Sequence, residues 1–190
     1  MIFTEQDIRD IEKGSAIAQR KLVQIYTPKL YNLIFYHLQN REEAEEVTQD
    51  TFIKIFAKTK TFKSESSYET WMYRLAVNQS LDRIRYNQRQ KRKVDKVSLQ
   101  NLVHQHDHKQ SNPSDELQSA EGQERVLRAI EKLPQNQKTA ILLTKMEGKT
   151  QKEAAEIMDL STKAVESLIQ RAKKNLREQL KNYFDPNKLG

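Results

Sequence analysis

Apolar side chains recur at intervals of three and four along residues 15–92 and again along 121–184, and the stretch between them lacks that period. Such spacing is the signature of amphipathic helices, each with one stripe that must be buried. With only four glycines and four prolines, the chain has little from which to build the tight turns of a sheet protein. Leu, Glu, Lys, Gln and Ala, all good helix formers, dominate the periodic blocks. The expected fold class is all-α, with two small helical domains joined by a flexible linker.

Residues 93–111 read KVDKVSLQNLVHQHDHKQS, polar and weakly periodic, which is linker composition. Asn112 and Pro113 then supply a helix cap and a first helical residue. The domains are therefore expected at 1–92 and 112–190, with 93–111 between them. In the first, a helix is expected over 17–39, with Pro28 a point at which it can kink or break. A turn at Asn40 leads to a helix over 41–58. A polar loop at 61–68 precedes a long helix over 69–92. The second domain should hold helices over 113–132, 136–146, 151–158 and 162–183.

The segment TQKEAAEIMDLSTKAVESLIQRAKKNL has the form of a helix-turn-helix. Thr150 with Glu153 three residues on makes a capping box, and Ala154, Ala155 and Ile157 give the short helix a close-packing face. Leu160 is expected to plug the turn and Ser161 to cap the next helix. Val165, Ile169, Ala172 and Leu176 form one apolar stripe there, the C-terminal helix of the domain. Lys163, Ser167, Gln170, Arg171 and Lys174 lie opposite, donors suited to phosphates and base edges in a major groove. Such a face is often only a solvated surface; the capped short helix and tight turn favour the motif.

Charge enters here: 33 Lys and Arg against 26 Asp and Glu leave a net +7, compatible with an acidic polymer as partner. In the 69–92 helix, Tyr73, Val77, Leu81 and Ile84 read as core. Arg74, Asn78, Asp82 and Arg85 repeat on the other side, with Trp71 and Leu75 beside them. Seven basic residues against one acid fill 83–96. Aromatic and basic groups beside a polar loop suit an unpaired strand, by stacking and by phosphate pairing. A lone Trp is commonly a core anchor, and a basic helix end also answers the helix dipole. Glu42, Glu43, Glu45, Glu46 and Asp50 open the 41–58 helix with acid, which suits a protein partner better than DNA.

With no cysteine, the chain has no disulfide, thiolate site or thiol nucleophile. The start, MIFTEQDIRDIEKG, lacks the apolar core of a secretory signal, and no run is long enough to span a bilayer. A soluble, cytoplasmic protein without membrane insertion is expected. His104, His106, Asp107 and His108 are metal-type residues, but without a scaffold they read as linker composition. No cofactor, metal or catalytic residue is expected, and the chain does not read as an enzyme, since it has no Gly-rich phosphate loop either. Another helix-turn-helix regulator would need a mixed α/β sensing domain, and residues 1–92 show no strand alternation. A purely protein-binding adaptor would not need the basic run.

On these residues the chain resembles the extracytoplasmic-function sigma factors of the main bacterial sigma family. AEEVTQDTFIKIFAK is similar to their region 2.2, and TFKSESSYETWMYRLAVNQSLDRIRYNQRQKR to regions 2.3 and 2.4. AIEKLPQNQKTAILLTKMEGKTQKEAAEIMDLSTKAVESLIQRAKKNLREQL is similar to region 4. The order and spacing of the three blocks carry the likeness. It implies a factor that binds core RNA polymerase and promoter DNA, directs −10 melting, and commonly pairs with an anti-sigma factor. It further implies that Gln49, Asp50 and Ile53 grip the polymerase. Phe62, Lys63, Tyr68, Trp71 and Asn78 would serve capture of a flipped −10 base, and Arg74, Arg83 and Arg85 would hold the strand backbone. Lys163, Ser167, Gln170, Arg171 and Lys174 would meet the −35 element. Three positions depart from the family pattern. Glu166 stands where Lys or Arg is usual, and can repel phosphate or accept from a cytosine amino group. Leu168, likewise replacing a basic residue, should add packing. Asp159 replaces the usual Gly of the turn, which Asp tolerates.

Overall fold

The computed structural model describes residues 2–97 and 120–181. They form α1 (Glu5–Glu12), α2 (Ala16–Leu38), α3 (Arg41–Lys58), a 3₁₀ turn (Thr59–Thr61), α4 (Tyr68–Val97), α5 (Ala120–Glu131), α6 (Gln135–Ile141), α7 (Gln151–Met158) and α8 (Thr162–Leu180). Helix α6 continues into a π-helical stretch, Leu142–Met146. No strand occurs among the described residues.

Helices α2, α3 and α4 pack on one another as the first domain. Leu22, Leu30, Leu33 and Ile34 of α2, Ile55 of α3, and Met72 and Ala76 of α4 are wholly buried. Hydroxyls inside this bundle are satisfied by their own helices, which lets the backbones approach without orphaned polar atoms. Thr48 donates to the Ala44 carbonyl, Thr51 to Val47, Thr59 to Ile55 and Ser80 to Ala76, at 2.6–2.9 Å. Gln39 closes α2 in the left-handed region at φ 54°, and Asn40 then caps α3 by accepting from the Glu43 N–H at 2.9 Å.

Three features differ from the sequence-based expectations for this domain. Helix α2 runs unbroken through Pro28, its buried Tyr26 and Leu30 held in the core on either side. A proline forfeits one backbone bond, and core burial outweighs that local cost. Helix α4 continues past residue 92 to Val97, as a stretch free of Gly and Pro allows. Helix α1 is additional. A Thr4–Asp7 capping box opens it, and Lys21 bonds Asp7 at 2.8 Å to tie it to α2. That bond, ahead of the capping contacts, holds the Asp7 carboxyl below its usual range.

In the second domain α6, α7 and α8 pack together, with α5 against α8. Both helices of the turn motif are capped as expected, Thr150 by its box with Glu153 and Ser161 by accepting from the Ala164 N–H. Asp159 adopts φ 54°, the left-handed conformation foreseen for it, and Leu168 is buried. Leu160 does not plug the turn: it is 40% exposed. Its N–H instead bonds the Ala155 carbonyl at 3.0 Å, so the turn is closed by backbone and by the small α7 face rather than by this side chain. Asn112, Pro113 and the histidine cluster at 104–108 lie outside the described residues, as does most of the 93–111 linker.

The two domains meet. Helix α4 packs against α7 and α2 against α6, and the buried apolar residues of both domains form one cluster.

Candidate nucleic-acid interface

The loop between the 3₁₀ turn and α4 is shaped by its own polar side chains. Ser67 caps α4 by accepting from the Thr70 N–H at 3.0 Å, and Ser64 turns the chain at φ 55°. Phe62 therefore folds back onto the helix start, edge-on to Tyr68 at 5.1 Å and tilted against Trp71 at 5.4 Å. Phe3 stacks on the other side of Tyr68 at 5.9 Å. The Tyr68 hydroxyl shares a 2.8 Å bond with Thr59, and burial pushes its ionisation up to about 12, so it stays neutral.

Beside this aromatic group lies a cleft of about 360 Å³, lined by Thr61, Phe62, Lys63, Glu65, Ser66, Trp71, Arg74 and Glu156. Two rings and two cations on one cleft can stack a base and pair its phosphates, with Glu65 and Glu156 of the same lining opposing them. Phe62, Lys63, Trp71 and Arg74 are thus brought together. Tyr68 backs the rings rather than lining the cleft, and Asn78 is exposed on the next turns of α4, outside the lining.

Further along α4 two of the cations, Arg83 and Arg85, are already partnered. Arg83 bonds Glu46 of α3 at 2.8 Å, a pairing that raises the guanidinium pKa and lowers that of the carboxyl. Arg85 bonds Asp82 at 2.6 Å, and Asn87 donates to both oxygens of Glu43 at 2.9 Å. The acidic start of α3 is therefore partly neutralised within the domain. Its exposed remainder includes Gln49, Asp50 and Ile53, and Ile53 leaves 64% of its surface in solvent. A large apolar side chain flanked by polar ones at i−3 and i−4 is a compact protein-docking feature.

On α8 the division of faces is clean. Val165, Leu168, Ile169 and Ala172 are buried, while Lys163, Ser167, Gln170, Arg171 and Lys174 are all exposed. Glu166 is exposed beside them. Arg171 is steadied by the Ser167 carbonyl of its own helix at 3.3 Å.

Sequence reasoning missed the groups that join the domains. Arg74 places two guanidinium nitrogens on the Glu156 carbonyl, at 2.9 and 2.6 Å. Tyr73, expected in the core of its own domain, donates to Glu147 at 2.6 Å; burial, then this carboxylate, drives its ionisation far above the ordinary range. Lys149 is 2.8 Å from Glu69 and 4.4 Å from the Tyr73 ring centroid. Gln135 bonds Nδ1 of His37, whose burial, with Lys138 nearby, lowers its pKa to about 3. No local pattern announces such pairs. Phe3, by contrast, was findable: Thr4 and Asp7 stand at capping-box spacing.

Two family models match the chain: Sigma-70 region 2 over residues 22–90 and Sigma-70, region 4 over residues 123–176. The chain is 31% identical over 182 residues to the ECF RNA polymerase sigma-E factor of Haemophilus influenzae, covering 94% of each chain. It is 29% identical over 189 residues to the ECF RNA polymerase sigma factor SigW of Bacillus subtilis, covering 95% of this chain and 98% of that one. Among solved structures, CnrH in complex with the cytosolic domain of CnrY superposes with a TM-score of 0.67 at 22% identity, over 93% of this chain and 96% of the other. The sigma factor RpoE of Bartonella quintana, crystallised with the anti-sigma factor NepR, gives 0.65 at 24% identity, over 85% and 96%. These two likenesses are of fold.

Proposed function

The chain belongs to the sigma-70 family, in its extracytoplasmic-function group, and from that membership we propose how its two domains share the work at a promoter. As a sigma factor it acts with RNA polymerase and directs promoter recognition and transcription initiation. The division of labour rests above all on one observation: an aromatic-walled cleft with Lys63 and Arg74 opens at the start of α4, and the basic run of the same helix follows it.

In this reading an unstacked −10 base enters the cleft beside the paired rings of Phe62 and Trp71. Tyr68 holds the ring group in place, Asn78 offers polar contact outside the cleft, and Arg74, Arg83 and Arg85 follow the strand backbone. A flipped base costs a few kcal/mol in lost stacking, and aromatic contact worth about 1–3 kcal/mol offsets it. The exposed face of α8 enters the −35 major groove, with Gln170 and Arg171 toward base edges and Lys163, Ser167 and Lys174 toward phosphates. Gln49, Asp50 and Ile53 form the docking face for core polymerase.

The protein works by binding, without a bond-making step of its own, and does so in the cytoplasm. Among the described residues no helix is long and apolar enough to cross a membrane. Since a sigma factor of this fold has been crystallised with an anti-sigma factor, such a partner is part of the proposal. Run-off transcription with core enzyme, with and without this protein, is the test. Promoter-dependent transcripts should appear only with it; their absence from every genomic fragment tried would overturn the reading.

A further inference from the structure

The rings that wall the cleft stand on a support that begins well ahead of them in the chain. The matched stretch of Sigma-70 region 2 starts at residue 22, so Phe3 and α1 lie before it. Thr4 caps α1 through its box with Asp7, and Phe3 and Ile8 occupy the two positions of a hydrophobic staple around that cap. Both side chains pack against the core, and Ile11 of α1 is buried. Lys21 of α2 pins Asp7 at 2.8 Å, in a pair largely withdrawn from solvent. So anchored, α1 packs against the 3₁₀ turn and delivers Phe3 to the ring group. Phe3 meets Tyr26 edge-on at 5.8 Å and stacks on Tyr68 at 5.9 Å. The hydroxyl end of Tyr68 is fixed as well. Thr59 gives its proton to the Ile55 carbonyl at 2.7 Å, so the Tyr68 hydroxyl donates to Thr59. Tyr68 in turn touches both cleft rings, with centroids 5.1 Å from Phe62 and 5.2 Å from Trp71.

We infer that Phe3 is a positioning residue for the strand cleft: delivered by α1, it fixes the plane of Tyr68 and, through it, the rings of Phe62 and Trp71. The inference rests on the strand-binding reading above and deepens it by one layer behind the site. Phe3 does not line the cleft, so it meets no base itself. Its effect is preorganisation. A side chain already held in its bound rotamer loses less freedom when a ligand arrives. Stacking is also sensitive to angle, because ring faces and edges carry opposite partial charge. Phe62 and Trp71 are only half-buried, so without a backing ring they have room to turn. Tyr68, tethered by its hydroxyl at one point, would pivot there once Phe3 left its face. Residues outside the helix that reads the strand thus set how well it reads.

Trp71 is the chain's one tryptophan, so its fluorescence reports the cleft wall directly in the full-length protein. Phe3→Ala should shift that emission and increase its quenching by acrylamide, while Phe3→Tyr, which keeps the ring, stays close to wild type. The second readout uses holoenzyme with core RNA polymerase, on a promoter fragment found by run-off transcription. There Phe3→Ala should lower promoter opening roughly fivefold, the order of one aromatic pair. Phe3→Tyr should restore opening, and binding to −35 duplex should hold throughout. A role in stability alone would weaken both DNA functions together. On top of Trp71→Ala, Phe3→Ala should take little more from the residual opening, since the two act on one site. If Phe3→Ala loses helical content by circular dichroism, Phe3→Leu, which keeps apolar bulk without a ring, decides by the same readouts. Unchanged Trp71 emission, unchanged opening, or full additivity with Trp71→Ala overturns the proposal. Trp71→Ala alone separates the two readings. If it leaves opening intact, the strand site falls and the positioning role with it; if it abolishes opening while Phe3→Ala is inert, only the positioning role falls.

Discussion

The two faces assigned to DNA differ in what they do while waiting for it. On α8 the donors stand in solvent, their contacts confined to their own helix, as with Arg171 on Ser167 and Lys174 at 4.0 Å from Glu178. On α4 two of the cations are spent on other elements, Arg74 on α7 and Arg83 on α3, while Arg85 pairs with Asp82 of its own helix. A duplex reader can meet a rigid groove with a ready-made face. A strand reader must exchange internal partners for phosphates, so its affinity depends on the rest of the fold. That contrast makes the strand site the adjustable one.

Substitutions should separate the faces, and the largest effect is expected at the cleft. Trp71→Ala should reduce promoter opening by up to a hundredfold, on the order of 3 kcal/mol of lost stacking, while binding to −35 duplex is retained. Permanganate reactivity of the melted strand reads the first and gel mobility the second. Equal loss on both would erase the proposed division.

Acid comes next, through the contact between domains. With His37 at about 3 in the folded protein against 6.5 when unperturbed, its neutral form is required for folding. Stability is therefore full above about pH 6.5 and is lost as pH falls toward 3, by about 2 kcal/mol at about pH 5. The lowered carboxyls Asp7 and Glu153 act only below their ordinary values, so they leave this window to His37. Urea titrations at about pH 7.5 and about pH 5 should show the loss. His37→Gln should flatten it; an unflattened profile would remove His37 as its source.

Arg171→Ala should weaken −35 binding by roughly tenfold, about 1.4 kcal/mol, and leave single-strand affinity unchanged. Competition with mixed-sequence duplex distinguishes lost specificity from a uniform electrostatic loss, and the uniform loss would demote Arg171 to a phosphate contact. The smallest effect is expected at Thr150→Ala, which removes the α7 cap and should cost about 1 kcal/mol. Thermal melting checks it, and no change would mean that Glu153 alone satisfies the helix start.

Much of the architecture was legible because it is written in short-range physics. The helical period sets the elements, and the side-chain caps at Thr150 and Ser161 set the starts of α7 and α8. The Asp159 turn follows from the few residues that tolerate a left-handed backbone. The donor face of α8 was readable because a stripe of apolar residues implies its opposite. Where local rules gave the wrong weight, packing decided. Pro28 sits inside a continuous helix because core contacts on both sides outweigh one lost bond. Leu160 stays half in solvent because backbone bonds already close its turn.

Sequence by itself determined the helical class, the two blocks of helical period, the turn motif and the exposed donor face of its second helix, since each depends on neighbours within a few turns. Only the tertiary structure decided that Tyr73 lies under a lysine of the other domain and that Arg74 is held by the carbonyl of Glu156. Those pairs join positions more than seventy residues apart. Their energies come from burial and charge complementarity, which no periodicity along the chain encodes.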